Sequence, residues 1–296
     1  MSLFRLDVPA RKLRAEKVAA RLRSLEGSFD GDAVARLEEA GLGTDLAPDS
    51  LGTIGGGNHF CEVQSIAEVM VDDPVIDKNA AYLLVHSGSR SVGNGVFASV
   101  LDSVGEGLTL GSAEAQAYLA AHDAAVRWAA LNRAVIAERA ASALRTEATL
   151  ISDSPHNLVE ATGDAFLHRK GAAKADQALV PLAGSRDALS YLLKPTEADT
   201  QALASLAHGA GRRYDRRSMH GRYGQTKSDR LKLERTSFGG HVVCEDRQLL
   251  IEEAPGAYKN AAQVVADLGS ANLAHPVAAF KPLVTFKRAD LGRETR

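Results

Sequence analysis

Three histidines of the sequence follow apolar runs or loops rich in glycine or proline. His59 stands in GGGNHF, His86 ends the apolar run YLLVH, and His156 follows ISDSP. Neutral imidazoles that converge from separate strand ends are common ligands of Zn²⁺ or Mn²⁺. Each could equally be a hydrogen-bonded core histidine, and no H-x-x-x-H or C-x-x-C spacing is present. We therefore treat the three as candidate ligands of a divalent ion.

A fourth histidine, His208, lies among small residues in AHGAGR. Small neighbours leave an imidazole sterically open, as a nucleophilic histidine must be. The alternative is a helix C-terminus, with a histidine in the last turn and Gly209 just after it.

Several loops carry donors that suit phosphate. The main-chain N–H groups of Gly184 and Ser185 could form an anion-binding nest. HRKGA adds cations, Glu253 begins the turn EAPGAYK, and Lys287 lies at the end of the last predicted strand. Taken singly, the loops are better explained as solvated turns, and Lys287 as an exposed lysine.

Basic residues concentrate between His208 and Arg235. Nine cations face three acids there, which leaves a local charge of +6. The cations are Arg212, Arg213, Arg216, Arg217, Arg222, Lys227, Arg230, Lys232 and Arg235. Such an excess favours contact with nucleic-acid phosphates, although a solvated loop is the alternative. Few aromatic residues interleave, so base stacking is not indicated.

Length and composition limit the class of protein. The chain has 296 residues, a net charge of −2 and 45% hydrophobic residues, which excludes a disordered chain. No apolar run approaches the roughly 20 residues that span a bilayer, and the first residues do not resemble a secretory leader. Two cysteines, Cys61 and Cys244, exclude a disulfide framework. We expect a cytoplasmic protein with no membrane partner.

The apolar periodicity predicts a mixture of helices and strands. Strands are predicted at 3–8, 60–63, 81–86, 242–244, 249–251 and 284–286, with short strands and turns over 150–193. Helices are predicted at 12–25, 32–40, 112–149, 197–207 and 260–268, and loops at 43–58, 87–95 and 209–235. No repeat, linker or composition break is present, so residues 1–296 are predicted to form a single domain.

In this order, the motifs resemble those of the RtcB family of RNA ligases. The matching motifs are LGTIGGGNHF, LLVHSGSR, PHN, HRKGA, the GS…S loop, HGAGR, EAPGAYK and KPLVTFK. The resemblance runs from Met1 to about Lys287, and GSRDALSYLL and RSLEGSFDGD are most similar to the shorter bacterial branch. It implies an α+β fold: a single large mixed domain of layered β-sheets with flanking helices.

The resemblance also implies a GTP- and Mn²⁺-dependent RNA ligase of tRNA splicing or RNA repair. Such an enzyme joins RNA that ends in a 2′,3′-cyclic phosphate or 3′-phosphate to RNA with a 5′-hydroxyl, through a histidine-guanylate intermediate. His208 matches the nucleophile, and His59, His86 and His156 match the family's metal ligands. The residues that match guanylate contacts are Asn58, Ser185, Ser190, His208, Gly209, Gly211, Glu253 and Lys287. The RNA contacts, inferred from charge alone, are assigned to Arg212, Arg213, Arg216 and Arg217.

One motif of the family is missing, an upstream Asp-x-x-Cys-Gly whose Asp and Cys complete a two-metal site. Neither Cys61 nor Cys244 lies in such a loop, and MSLF resembles the stretch that follows the motif. We therefore expect an N-terminally truncated member, through a late start codon or gene decay. Three histidines alone predict one weakly held ion and no covalent guanylate in this chain. The alternatives are a non-catalytic RNA- or nucleotide-binding relative and a metal-dependent phosphoesterase.

Overall fold

The protein is described by a computed structural model that covers residues 1–104, 107–196, 202–224 and 226–289. Its strands are β1 (Ser2–Pro9), β2 (Phe60–Val69), β3 (Ala80–His86), β4 (Ala148–Asp153), β5 (Asn157–Thr162), β6 (Ala165–Lys170), β7 (Ala172–Lys174), β8 (Val180–Leu182), β9 (Ser190–Pro195), β10 (Ser205–Ala207), β11 (His241–Cys244) and β12 (Ala274–Arg288). Its α-helices are α1 (Ala15–Leu22), α2 (Ala33–Glu39), α3 (Arg90–Val104), α4 (Ala113–Leu144), α5 (Arg216–Met219), α6 (Lys227–Leu233), α7 (Arg247–Glu252) and α8 (Ala261–Ser270).

The main sheet has eight strands and is almost entirely antiparallel. Seven strands run in the order β4-β1-β3-β2-β12-β9-β8, and β11 pairs in parallel with β12. The 15-residue strand β12 pairs with β2 along one edge and with β9 and then β11 along the other. Two small sheets, β5-β6 and β7-β10, lie outside this order.

Strand β3 is buried along its whole length because both faces of the sheet are covered. Side chains alternate between the two faces of a strand. Leu83 and Val85 pack in a cluster with residues of α1 and α4, whereas Tyr82 and Leu84 pack in a second cluster with Phe280. The continuous apolar run YLLV follows from this burial, and it carries His86 on a rigid core strand.

Helix α4 lies against β1 and β3 and covers one face of the sheet. It runs for 32 residues, and the side chain of Ser112 accepts a hydrogen bond from the main-chain N–H of Ala115 at its start. Its alanine-rich sequence without glycine or proline explains this length. In the part of the chain that the structure describes, no helix, α4 included, is both long and apolar enough to cross a membrane.

The α+β class is confirmed, as are most of the predicted elements. Strand 3–8 corresponds to β1, helix 32–40 to α2 with Asp32 as its N-cap, and helix 260–268 to α8. Helix 112–149 corresponds to α4 but ends earlier, because β4 begins at Ala148. The single-domain assignment of residues 1–296 stays a prediction.

Four predicted elements are wrong in part or in whole. Residues 249–251 lie in α7, because the Asp246 side chain caps a helix there. The predicted loop 87–95 contains the start of α3, and the loop 209–235 contains α5 and α6. The predicted helix 197–207 ends in a strand, β10, and its residues 197–201 lie outside the described residues.

Candidate active site

Four histidines from separate loops and strand ends come together. His86 Nε2 lies 3.3 Å from His156 Nε2, and the ring of His156 stacks on that of His208 at 4.2 Å between centroids. One ring nitrogen from each of these three residues lies within 4.8 Å of the others. The ring of His59 is next to this group, 5.7 Å from that of His86. The close group therefore contains two of the three predicted metal ligands together with the predicted nucleophile.

Burial keeps these imidazoles neutral. It lowers the pKa of His59 to about 4 and that of His156 to about 2, with neighbouring positive groups adding to the effect. Burial also lowers the pKa of His208, and it holds the pKa of His86 well below its usual range. A neutral imidazole keeps a free lone pair, which both metal binding and nucleophilic attack require.

The spacing of the imidazoles fits a divalent ion. Two nitrogen ligands at metal distances of about 2.0–2.1 Å and tetrahedral angles lie about 3.3 Å apart, which is the separation of the His86 and His156 Nε2 atoms. The buried Nδ1 of His156 has no hydrogen-bond partner among the described residues. Within the described ranges, no cysteine or carboxylate joins the group. The site could therefore hold one ion through imidazoles alone.

His208 is held in one orientation by its backbone and by its ring. Its carbonyl oxygen accepts from Ala183 N at 2.9 Å, and its Nδ1 donates to the carbonyl oxygen of Gly171 at 2.6 Å. Because a carbonyl only accepts, Nδ1 carries the proton and Nε2 keeps the lone pair. His208 follows strand β10, so the interpretation as a helix C-terminus is wrong.

His208 and His86 line a cavity of about 250 Å³. The cavity contains seven of the eight predicted guanylate contacts, namely Asn58, Ser185, His208, Gly209, Gly211, Glu253 and Lys287. The eighth, Ser190, is buried behind the loop, and its Oγ accepts from Gly184 N at 3.1 Å. A side chain on Gly184 would collide with the carbonyl of Leu189, so this tight loop requires glycine.

The cavity is lined by more cations than anions. The cations are Arg186, Arg212, Arg216 and Lys287, and the carboxyl groups are Glu62 and Glu253. Burial raises the pKa of Glu62 to about 7, which reduces its negative charge, and lowers the pKa of Lys287 to about 8. The remaining positive excess suits a polyphosphate ligand.

Glu253 and Lys287, which both line the cavity, are held in place by hydrogen bonds. Glu253 Oε1 accepts from Arg212 at 3.0 Å and from Arg216 at 3.3 Å, and Tyr258 donates to its other oxygen. Lys287 Nζ donates to the carbonyl oxygen of His59 at 2.9 Å. Lys287 therefore links the last strand to the loop of the first histidine.

Three ionisable lining residues were not among the predicted site residues, namely Glu62, Arg186 and Tyr258. Glu62 could have been found, because it is an acid inside the predicted strand at 60–63. A carboxyl group buried in a strand is rare and indicates a functional site. Its partners are Gln64 at 2.7 Å and Thr285. Nothing in the local sequence distinguishes Arg186 from the solvated arginines of other loops.

The basic segment divides into separate parts. Arg212 and Arg216 line the histidine cavity, whereas Arg213 and Arg217 are exposed. Lys227, Arg230 and Arg235 line a different cavity of about 530 Å³ against α1, which shares no lining residue, among those described, with the histidine cavity. Arg216 is exposed as well, although it lines the cavity, so three of the four predicted RNA contacts are accessible to a large ligand.

Comparison with known proteins connects the chain that builds this histidine cluster and cavity to a class of RNA ligases. The family described as tRNA-splicing ligase RtcB matches residues 42–288. The RNA-splicing ligase RtcB2 of Escherichia coli is 39% identical over 298 aligned residues, which cover 98% of this chain and 78% of the relative. The chain belongs to the RtcB family and is an RNA ligase by class.

More distant relatives are much longer than this chain. The tRNA-splicing ligases RtcB of Pyrococcus abyssi and Pyrococcus horikoshii are 29% and 28% identical over 84% of the chain. The matched regions cover 34% and 36% of those relatives.

Proposed function

We propose that this chain carries the site of a ligase that uses GTP and Mn²⁺ to join RNA with a 2′,3′-cyclic phosphate or 3′-phosphate to RNA with a 5′-hydroxyl. The observation that supports it most is the state of His208. Its Nδ1 proton is engaged by Gly171, so Nε2 keeps its lone pair, and its ring stacks on neutral His156 and lines a cationic cavity. We also propose a cytoplasmic location, which the free, buried thiols of Cys61 and Cys244 favour.

The chemistry begins with attack by His208 Nε2 on the α-phosphorus of GTP. A nitrogen–phosphorus bond forms, the bond between the α-phosphorus and the bridging oxygen breaks, and pyrophosphate leaves. The 3′-phosphate of the RNA then takes the guanylyl group from His208, after a cyclic end has been opened by water. Attack by the 5′-hydroxyl on the activated phosphate forms the new phosphodiester and releases GMP.

This chain's residues would orient the nucleotide and balance its charge. Lys287, Arg212 and Arg216 provide positive charge, and the main-chain N–H group of Ser185 adds a donor. The N–H group of Gly184, which the sequence predicted as a second donor, binds Ser190 Oγ instead. A divalent ion held by His86 and His156, with His59 beside them, would neutralise charge on the reacting phosphates.

The first test is equilibrium binding of GTP to the purified 296-residue chain by calorimetry. We expect binding by the native protein and weaker binding of ATP. A protein that does not bind GTP would contradict the proposal, whatever its behaviour toward RNA.

The second test follows the covalent step by intact-protein mass spectrometry after incubation with GTP and Mn²⁺. A guanylate adduct on the native protein that is absent from His208→Ala would establish the ligase chemistry. It would also show that the prediction of an inactive chain is wrong.

The composition of the imidazole group favours a second candidate, a nucleotide-binding relative without ligase activity. The described group has three imidazoles and neither the thiolate nor the carboxylate of a two-ion family site. This candidate would be favoured by GTP binding without an adduct, together with an RNA affinity that depends on salt but not on Mn²⁺.

A further inference from the structure

Two adjacent polar residues lie buried in the middle of α4. Asn132 is 0% exposed and Arg133 is 2% exposed. Burying an amide and a guanidinium costs free energy unless their donors and acceptors find partners. Neither residue has a part in the chemistry proposed above, so their hydrogen-bond partners indicate what they contribute.

Asn132 connects two loops of the candidate site. Its Oδ1 accepts from Gly52 N at 2.7 Å, and its Nδ2 donates to the carbonyl oxygen of Thr53 and to Ser87 Oγ, both at 3.1 Å. Ser87 directly follows His86. The other loop leads into the three glycines that precede the first histidine of the site.

Arg133 connects the same serine to the end of strand β4. Its Nε and Nη2 donate to the two carboxylate oxygens of Asp153, each at 2.8 Å, and its Nη1 donates to the carbonyl oxygen of Ser87 at 3.1 Å. Burial alone would favour the neutral acid, but the guanidinium holds the pKa of Asp153 below its usual range. This bidentate ion pair fixes Asp153, which lies three residues before His156.

We infer that Asn132 and Arg133 are positioning residues for the divalent ion. Together they fix the main chain next to His86, three residues before His156 and six residues before His59, so that the imidazoles are grouped before an ion binds. The inference rests on the metal site of the proposed function. Partners that orient metal ligands typically change metal affinity by about 10- to 100-fold when they are removed.

Arg139, on the same helix, provides a matched control. Its guanidinium donates to the carbonyl oxygens of Gly52 at 2.5 Å, Gly27 at 2.6 Å and Ser24 at 2.9 Å. None of the hydrogen bonds described for it reaches the chain beside His86 or His156. Arg139 shares with Asn132 only the contact at Gly52, so its loss should weaken the fold while the chain beside His86 and before His156 stays held by Asn132 and Arg133.

The test is titration of the metal-free, full 296-residue protein with MnCl₂, with free Mn²⁺ measured by electron paramagnetic resonance. Urea unfolding is measured on the same preparations. We expect Arg133→Gln and Asn132→Ala to raise the Kd for Mn²⁺ by at least about tenfold. Arg139→Gln should lose stability and keep the native Kd.

A conservative variant covers the case in which Arg133→Gln does not fold. Arg133→Lys keeps a positive charge beside Asp153 but cannot donate to both its oxygens and to Ser87 at once. We expect near-native stability and a Kd for Mn²⁺ between those of the native protein and Arg133→Gln.

Two results would overturn this inference and leave the proposed function unaffected. One is a native protein that binds Mn²⁺ with the same Kd as Arg133→Lys and Asn132→Ala. The other is a Kd that follows stability across all variants, with Arg139→Gln affected as much as the others. A native protein that binds no Mn²⁺ would overturn both this inference and the metal part of the proposed function.

Discussion

The carbonyl oxygen of Gly171 accepts the Nδ1 proton of His208 at 2.6 Å, and this contact selects the tautomer of the candidate nucleophile. Gly171 has a φ of +68°, and a Cβ there would lie 3.3 Å from His208 Cε1. Glycine therefore permits both the turn and the close approach.

Replacing this glycine should disturb His208 specifically. Gly171→Ala is expected to lose about 1–2 kcal/mol of stability through the left-handed backbone and to shift the His208 imidazole. The matched control is Gly163→Ala, at φ +58° with nothing within 4 Å of its Cβ. Imidazole ¹⁵N chemical shifts should show the protonated Nδ1 in the native protein and in Gly163→Ala, with a change in Gly171→Ala alone. The same spectrum in all three proteins would contradict the role of Gly171.

Lys287 should contribute to GTP binding as a buried cation. Lys287→Met removes a charged donor and is expected to weaken GTP binding by about 1.5–3 kcal/mol, or roughly 10- to 100-fold. Because its pKa lies at about 8, native affinity should fall as the pH rises through 8, and the variant should lack this fall. Lys281→Met, at an exposed position of the same strand, is the control. Calorimetry at pH 7 and pH 9 checks both statements.

Glu253 should be far more important for stability than its neighbour Glu252. Glu253→Gln weakens charged hydrogen bonds from Arg212 and Arg216 and is expected to cost about 1.5–3 kcal/mol. Glu252 pairs with His220 at 3.2 Å in a more exposed position, and Glu252→Gln should cost less than about 1 kcal/mol. Urea unfolding measures the loss of unfolding free energy in both variants. Equal losses would mean that the hydrogen bonds to Glu253 stabilise the protein no more than the exposed pair of Glu252.

Glu62 should make stability depend on pH. Its folded pKa of about 7 exceeds the ordinary value of 4.5, so the native state binds the proton more tightly than the unfolded state. This contribution is complete below pH 4.5 and is lost as the pH rises through 7. The difference in unfolding free energy between native protein and Glu62→Gln should therefore change by about 3 kcal/mol across this interval. Glu68→Gln, exposed on the same strand, should show no such change.

Arg213 and Arg217 should contact RNA phosphates. Each substitution to glutamine is expected to weaken RNA binding for all sequences alike and to reduce the slope of log K against log[salt] by about 1. Arg127→Gln, at an exposed position of α4, is the control for charge alone. Fluorescence anisotropy at several salt concentrations measures the slope for each variant. An equal reduction of the slope in all three variants would refute the assignment.

Local sequence predicted the parts of the site that come from a single loop. The strand that ends at His86 was predictable because YLLV is apolar without interruption. The eight proposed guanylate contacts were predicted from the resemblance to the RtcB family, and seven of them line one cavity.

What the sequence could not predict depends on contacts between distant segments. Nothing in NRAVIAE distinguishes Asn132 and Arg133 from surface residues of a long helix, because their partners lie near residues 53, 87 and 153. The stacking of His156 on His208 likewise joins loops 52 residues apart. The strand predicted at 249–251 was wrong because a single capping side chain, Asp246, outweighed an apolar triplet.

The position of strand β12 in the sequence determines when the cavity can form during synthesis. It pairs Phe286 with Cys61 and contains Lys287, so the cavity needs residues that lie more than 200 positions apart, from Asn58 to Lys287. Contacts of such sequence separation form late, since a long loop must close before they stabilise anything. During synthesis, which delivers about 5–20 residues per second, a ribosome-bound chain holds its histidines long before it holds Lys287. The cavity is therefore complete only after Lys287 has been synthesised.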